Sequence, residues 1–166
     1  MFKNILILLL SILLLSSCSK KNGKKIIETE PTDEEVAMDI YAEAVQSLKK
    51  GDAFYAAKRF KEVESLMPQN LWATKASLMA AYAEYSRNAY SNAVFDLERH
   101  IKKYPADKNI PYAHYLIAIC YYEQILDEKK DLGPLLKAKE KFEFIIQTYP
   151  DTDYGTDAKF KIDLII

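Results

Sequence analysis

Two cysteines, two histidines and a few acidic pairs are the side chains whose chemistry decides what kind of protein this is. His100 falls late in one apolar-periodic segment and His114 early in the next, beside Tyr115. Neither has a partner at metal-ligand spacing, so both read as structural or solvated. Cys120 lies inside the apolar stretch YLIAICYY and reads as a small buried residue. Glu34 and Glu35 are charges favoured at a helix N-terminus by its dipole. There is no Ser-His-Asp, Walker or zinc pattern, so neither an enzyme nor a metal or cofactor site is expected. One thiol stands apart. Cys18 directly follows an apolar run, with Ser16 and Ser17 before it and Lys20 and Lys21 after it, and its distance from Cys120 argues against a structural disulfide.

That placement is explained by what precedes it. Lys3 supplies a positive start, and Ile5 to Leu15 is an almost unbroken run of Leu and Ile. The run is about half the roughly 20 residues a membrane-spanning helix needs, so it reads as the apolar segment of a signal peptide. Leu15-Ser16-Ser17-Cys18 resembles the bacterial lipobox: an aliphatic residue, two small residues, then cysteine. The resemblance implies a diacylglycerol on the Cys18 sulfur, cleavage just before Cys18 and acylation of the new amine. Several acyl chains on one residue anchor stably, whereas a single chain, at about 0.8 kcal/mol per buried methylene, binds only marginally. Ser19 follows where Asp would retain such a lipoprotein in the inner membrane, so the outer membrane is expected. Residues 1–17 are thus read as signal peptide, and 18–31 as the lipidated cysteine with a polar, solvated tether.

The 23 basic and 24 acidic residues nearly balance, which points away from a nucleic-acid partner. Only 4 glycines accompany 12 tyrosines, a composition that disfavours phosphate-cradling loops and favours long helices.

The elements that organise the rest are legible from three prolines. Pro68, Pro105 and Pro150 each close an apolar helical pattern. Twelve residues before them stand Ala56, Ala93 and Ala138; eight before, Phe60, Leu97 and Phe142; immediately before, Met67, Tyr104 and Tyr149. Eight residues after them come Ala76, Ala113 and Ala158, and thirteen after the first two come Ala81 and Ala118. The first two prolines are 37 residues apart and the last two 45, the excess falling in the polar loop DEKKDLGP. Tetratricopeptide repeats have this character, about 34 residues forming two antiparallel helices. Small residues sit where helix axes must approach to about 8–10 Å, and proline stops the second helix.

Start signals agree. Thr32 with Glu35 makes a capping box, Gly51 suits a tight turn, Asn70 and Asn109 suit N-caps and Pro134 suits a first helical turn. The expected fold is an all-α solenoid over residues 32–166, with helix pairs at 33–50 and 53–66, 70–87 and 90–103, and 110–126 and 134–148. A further helix begins near Thr152. Because a solenoid end needs a polar outer face and FKIDLII is apolar to its last residue, a C-terminal truncation is expected.

In such a superhelix the first helix of each pair lines the inner side. The corresponding positions are Tyr41, Val45 and Leu48, then Leu78, Tyr82 and Tyr85, then Tyr112, Tyr115, Ile119 and Tyr122. A tyrosine-rich groove of this kind suits an extended peptide with aromatic or apolar side chains, because the ring is large, rigid and tipped with a hydroxyl. Packing of individual rings between neighbouring helices is the competing role.

A lipobox, a short polar tether and these repeats together are similar to the BamD (ComL/YfiO) family of outer-membrane lipoproteins. The likeness is closest in YAEAVQSLKKGDAFYAAKRFKEVESLMP, in the segment around NIPYAHY and in the segment around YPDTDY. It implies a non-catalytic lipoprotein scaffold of the outer-membrane β-barrel assembly machinery, facing the periplasm. Its implied partners are a BamA-like barrel-assembly subunit, other assembly lipoproteins and unfolded β-barrel precursors. Family members usually have about five repeats, and this sequence stops at the start of a fourth, which bears on the barrel-subunit contact. The alternative is another repeat-bearing envelope lipoprotein, such as a pilus-secretin pilotin or a cell-wall coordinator.

Overall fold

The computed structural model describes residues 30–127 and 132–165. Cys18, the tether up to residue 29 and half of the DEKKDLGP loop lie outside the described residues. Seven helices follow one another among the described residues: α1 (Asp33–Lys49), α2 (Ala53–Leu66), α3 (Leu71–Ser86), α4 (Tyr90–Lys103), α5 (Ile110–Asp127), α6 (Gly133–Thr148) and α7 (Asp153–Ile165). They form three antiparallel-type pairs and a further first helix, the all-α repeat expected.

Local chemistry sets the boundaries. At α1, Thr32 Oγ1 accepts from the Glu35 N–H at 3.2 Å and Glu35 Oε2 accepts from the Thr32 N–H at 2.8 Å, a complete capping box. Asp52 caps α2 through the Tyr55 N–H, and Asn70 caps α3 through the Trp72 N–H. Asn109 begins α5 differently from expectation. Its backbone carbonyl accepts from Ala113, while its side-chain amide donates to Asp107 Oδ1. Between the helices of the first pair, Gly51 adopts φ +88°, the left-handed region that glycine enters without steric cost.

The residue that ends each second helix has nearly the same backbone angles. Met67, Tyr104 and Tyr149 have φ/ψ of −131°/60°, −126°/57° and −129°/49°. Each donates its N–H to the carbonyl four residues earlier. A residue before proline is pushed out of the helical region, so Pro68, Pro105 and Pro150 act through the residue in front of them.

The counted register is the core. Ala56, Ala93, Ala138, Ala76, Ala113, Ala158, Ala81 and Ala118 are fully buried, as are Phe60, Leu97 and Phe142. Each helix packs on the next, and α1 also touches α3 while α5 touches α7, so at both ends of the repeat a first helix lies beside the first helix of the neighbouring pair. Ala76, Ala80 and Ala83 of α3 pack with α1 and α2. Leu78 and Ala81 of the same helix pack with the elements that follow. A helix covered on both sides must be apolar around most of its circumference, as α3 is.

Charge joins the second helices. Glu64 of α2, buried at 5% side-chain exposure, receives Arg99 and Lys103 of α4. Lys61 reaches the buried Asp96 at 2.8 Å. His100 is fully buried rather than solvated. Its Nε2 lies 3.1 Å from Asp107 Oδ2. Burial lowers its pKa despite the opposing pull of Asp107, so the neutral ring donates Nε2–H to the carboxylate. His114 is half-buried, with its ring centroid 4.8 Å from that of Phe144.

Candidate peptide-binding face

The expected tyrosines are carried by α1, α3 and α5, and the structure sorts them into two kinds. Tyr41 is half-buried, packed edge-on against Phe60 and against Trp72, each at 5.2 Å between ring centroids. Tyr115 donates its hydroxyl to Asp157 of α7 and packs on Tyr154 at 5.2 Å and Phe142 at 6.4 Å. Tyr122 meets Phe142 edge-on at 6.2 Å, with Lys161 Nζ 4.8 Å from its ring centre. These rings hold helices together and present only part of their surface. Val45 and Leu48 are likewise half-buried against the first core.

Tyr82 is different. It is 36% exposed and begins a chain of rings in which Tyr85 lies 6.2 Å away and Tyr90 a further 6.0 Å beyond Tyr85. Leu78 and Ile119 go the other way, with only 9% and 7% exposure, because α3 and α5 are packed on both flanks. The expected groove is therefore discontinuous in exposure, with packed rings alternating with accessible ones.

Four first helices nevertheless converge on one place. Tyr41 of α1, Leu78 of α3, Tyr112 of α5 and Tyr154 of α7 border a cleft of about 290 Å³, together with Lys75, Met79 and Asn109. Tyr112 and Tyr154 pack at 5.8 Å. Burial pushes the Tyr112 hydroxyl up to about 12, and burial, then Asp157, raises that of Tyr115. Tyr41 and Tyr85 shift in the same direction, again through burial. The phenols are thus neutral at physiological pH, offering apolar faces and hydroxyl donors but no anion. Such a surface suits the flat side chains and exposed backbone of an extended chain.

Tyr154, Lys75 and Met79 were missed in the sequence. A signal for Tyr154 existed: it stands four residues after Pro150, as Trp72 stands four after Pro68. Trp72 packs on Tyr41 at the head of the same face.

A family model for YfiO, described as an outer membrane lipoprotein, matches residues 33–166. The chain belongs to the YfiO family. Among curated relatives of this YfiO-family chain is the outer membrane protein assembly factor BamD of Caulobacter vibrioides, 35% identical over 150 residues, covering 90% of this chain and 48% of that protein. The protein of the same name from Rickettsia prowazekii is 34% identical over 154 residues, covering 92% and 59% respectively. That from Xylella fastidiosa is 28% identical over 163 residues, covering 92% and 54%. The chain spans about half the length of the curated relatives it matches. The YfiO match coincides with the helical repeat: it begins at Asp33, the first residue of α1.

Among the described residues, no helix is long and apolar enough to cross a membrane. No group of three His, Cys, Asp or Glu residues there is arranged to hold a metal ion. Cys120 is buried as expected, and burial raises its thiol pKa to about 12.

Proposed function

We propose that this chain is a non-catalytic scaffold of the outer-membrane β-barrel assembly machinery, receiving unfolded barrel precursors on its tyrosine face. The observation that carries this reading is the convergence of Tyr41, Leu78, Tyr112 and Tyr154 on one aromatic cleft in a chain whose curated relatives are named as outer membrane assembly factors. Barrel precursors carry extended segments in which apolar side chains, aromatic at the membrane interfaces, alternate with polar ones, and the apolar and aromatic set meets the cleft with complementary chemistry. A fatty-acylated Cys18 anchors the chain to the outer membrane, residues 19–31 act as tether, and the repeats face the periplasm and hold a BamA-like subunit and its companion lipoproteins.

The test places a photo-crosslinking side chain at Met79, which lines the cleft, in the full chain, in cells making an excess of one barrel protein. Crosslinks to that precursor, weakened when its aromatic strand residues are changed to serine, are expected. Recovery of a large barrel with periplasmic domains alongside the chain supports the partner assignment; recovery of a secretin ring in its place overturns it. Mass spectrometry of the mature N-terminus tests the anchor: a Cys18 without fatty acid removes it.

A further inference from the structure

A second hollow, of about 560 Å³, opens where the corner between α4 and α5 meets the first turns of α3. Leu71, 67% exposed, forms its apolar floor with Tyr104 and Pro105. Lys75, Lys103 and Lys108 supply its ammonium groups. A neighbouring hollow at Pro68, Gln69 and Asn70 shares Leu71, Thr74, Lys103 and Tyr104 with it, so the two make one continuous trough.

The charge balance of this trough is unusual for a chain whose net charge is −1. The carboxylates that would neutralise it are buried and already occupied. Asp107, whose side chain is 8% exposed, holds His100 and the N–H and side-chain amide of Asn109. Glu64, 5% exposed, is shared among Arg99, Lys103 and Tyr104. Lys75 rests over the Trp72 ring at 4.9 Å, and among the described residues no acid is ion-paired with it. Lys108 is exposed. Lys75 and Lys108 therefore present positive charge beside an exposed leucine, while Lys103 is held by Glu64 and the Asp107 side chain is turned mostly inward.

We propose that this trough is a docking surface for an acidic, extended polypeptide segment of a partner protein. One apolar side chain of that segment seats on Leu71, and carboxylates on either side of it reach Lys75, Lys103 and Lys108. The elongated shape and the apolar floor favour a peptide, and the near-neutral chain as a whole lacks the broad basic field that draws a membrane surface or a nucleic acid. The trough borders the tyrosine cleft at Lys75 and Asn109, yet its occupant is distinguished by charge, so this inference stands independently of the barrel-precursor reading.

The test uses the full chain in detergent and a fluorescein-labelled peptide of alternating Asp and Leu, with an Asn-for-Asp peptide as control, read by fluorescence anisotropy. The acidic peptide is expected to bind at least about tenfold more tightly than the control, and to weaken steeply between about 50 and about 300 mM salt. Lys108→Gln and Leu71→Ser, both at exposed positions, are each expected to weaken it by about three- to tenfold. Lys103 is left unchanged because it also holds Glu64. Tyr82→Ser is expected to leave acidic-peptide binding unaltered while lowering precursor crosslinking, which separates the two surfaces. Equal binding of the Asn peptide, indifference to Lys108→Gln and Leu71→Ser, or a Lys108-dependent preference for phosphatidylglycerol vesicles over the peptide overturns the proposal.

Discussion

Lys103 Nζ and Glu64 Oε1 meet at 2.8 Å although 39 residues of chain separate them. Arg99 Nη1 at 3.0 Å and the Tyr104 hydroxyl at 3.1 Å reach the same oxygen. One buried carboxylate thus ties the second helix of the first pair to the second helix and corner of the next. Glu64→Gln keeps the shape and removes the charge, leaving the two cations without their acceptor. We expect a loss of about 1.5–3 kcal/mol, read as a lower urea midpoint with an unchanged slope. Burial acts to raise the Glu64 pKa, but Lys103 and Arg99 outweigh it and hold it below the ordinary carboxylate value. The stabilisation is therefore complete above that ordinary value and disappears as pH falls through the lowered one. Glu64→Gln should flatten this part of the acid limb.

His100 predicts a second pH dependence, at milder acidity. Its pKa is depressed, first by burial and against the pull of Asp107, so the unfolded chain takes up the proton before the folded one does. Stability from this site is present above the ordinary histidine value and falls as pH drops towards the native one. His114 shifts in the same direction, through burial and then Lys141. Urea midpoints measured at pH 7.5 and about 5.5 should fall in the parent chain. The fall should be smaller in His100→Gln and again in His114→Gln, and an unchanged slope in both would exclude the histidines as its source.

Gly155 marks a close approach of backbones. A Cβ there would stand 2.4 Å from the Tyr149 carbonyl oxygen and 3.1 Å from that of Pro150. Main chain cannot yield as a side-chain tip can, so Gly155→Ala must lift the start of α7 off the corner below it. The expected cost is about 1–3 kcal/mol, with faster amide exchange confined to α7. Gly51→Ala, where nothing lies within 4 Å of the added carbon, should cost about 1–2 kcal/mol from backbone conformation alone.

Two tyrosines of the same face should respond oppositely. Tyr115→Phe removes the hydroxyl that bonds Asp157 and should cost about 1 kcal/mol of stability. Tyr82→Ser, at a 36% exposed position, should leave the thermal midpoint nearly unchanged while lowering precursor crosslinking. A Tyr82→Ser protein that crosslinks normally would detach the face from binding.

The helices were legible because apolar period and prolines agree along the chain, and Thr32, Gly51 and Asn70 act as their residue types require. The buried charges were harder to read, since Glu64 is locally indistinguishable from its neighbour Glu62, which is well exposed. The repeat itself held the missing signal. Glu64 stands four residues before Pro68, where the later units have Ile101 and Ile146, and His100 stands where the others have the fully buried Val63 and Ile145. Which tyrosines remain accessible was not legible, because that depends on how far each neighbouring helix overlaps the ring.

The shared backbone angles of Met67, Tyr104 and Tyr149 lead the chain out of each second helix in the same way, although α5 starts two residues later after its corner than α3 and α7 do after theirs. Extra residues between the helices of a pair, such as the eight by which the spacing of the last two prolines exceeds that of the first two, leave the counted register on either side intact, with Ala118 and Ala138 both fully buried. A single residue inserted between Met67 and Asn70 would swing everything downstream to a new bearing. Length is thus tolerated at the turns inside a pair, while the turns between pairs decide where the next pair begins.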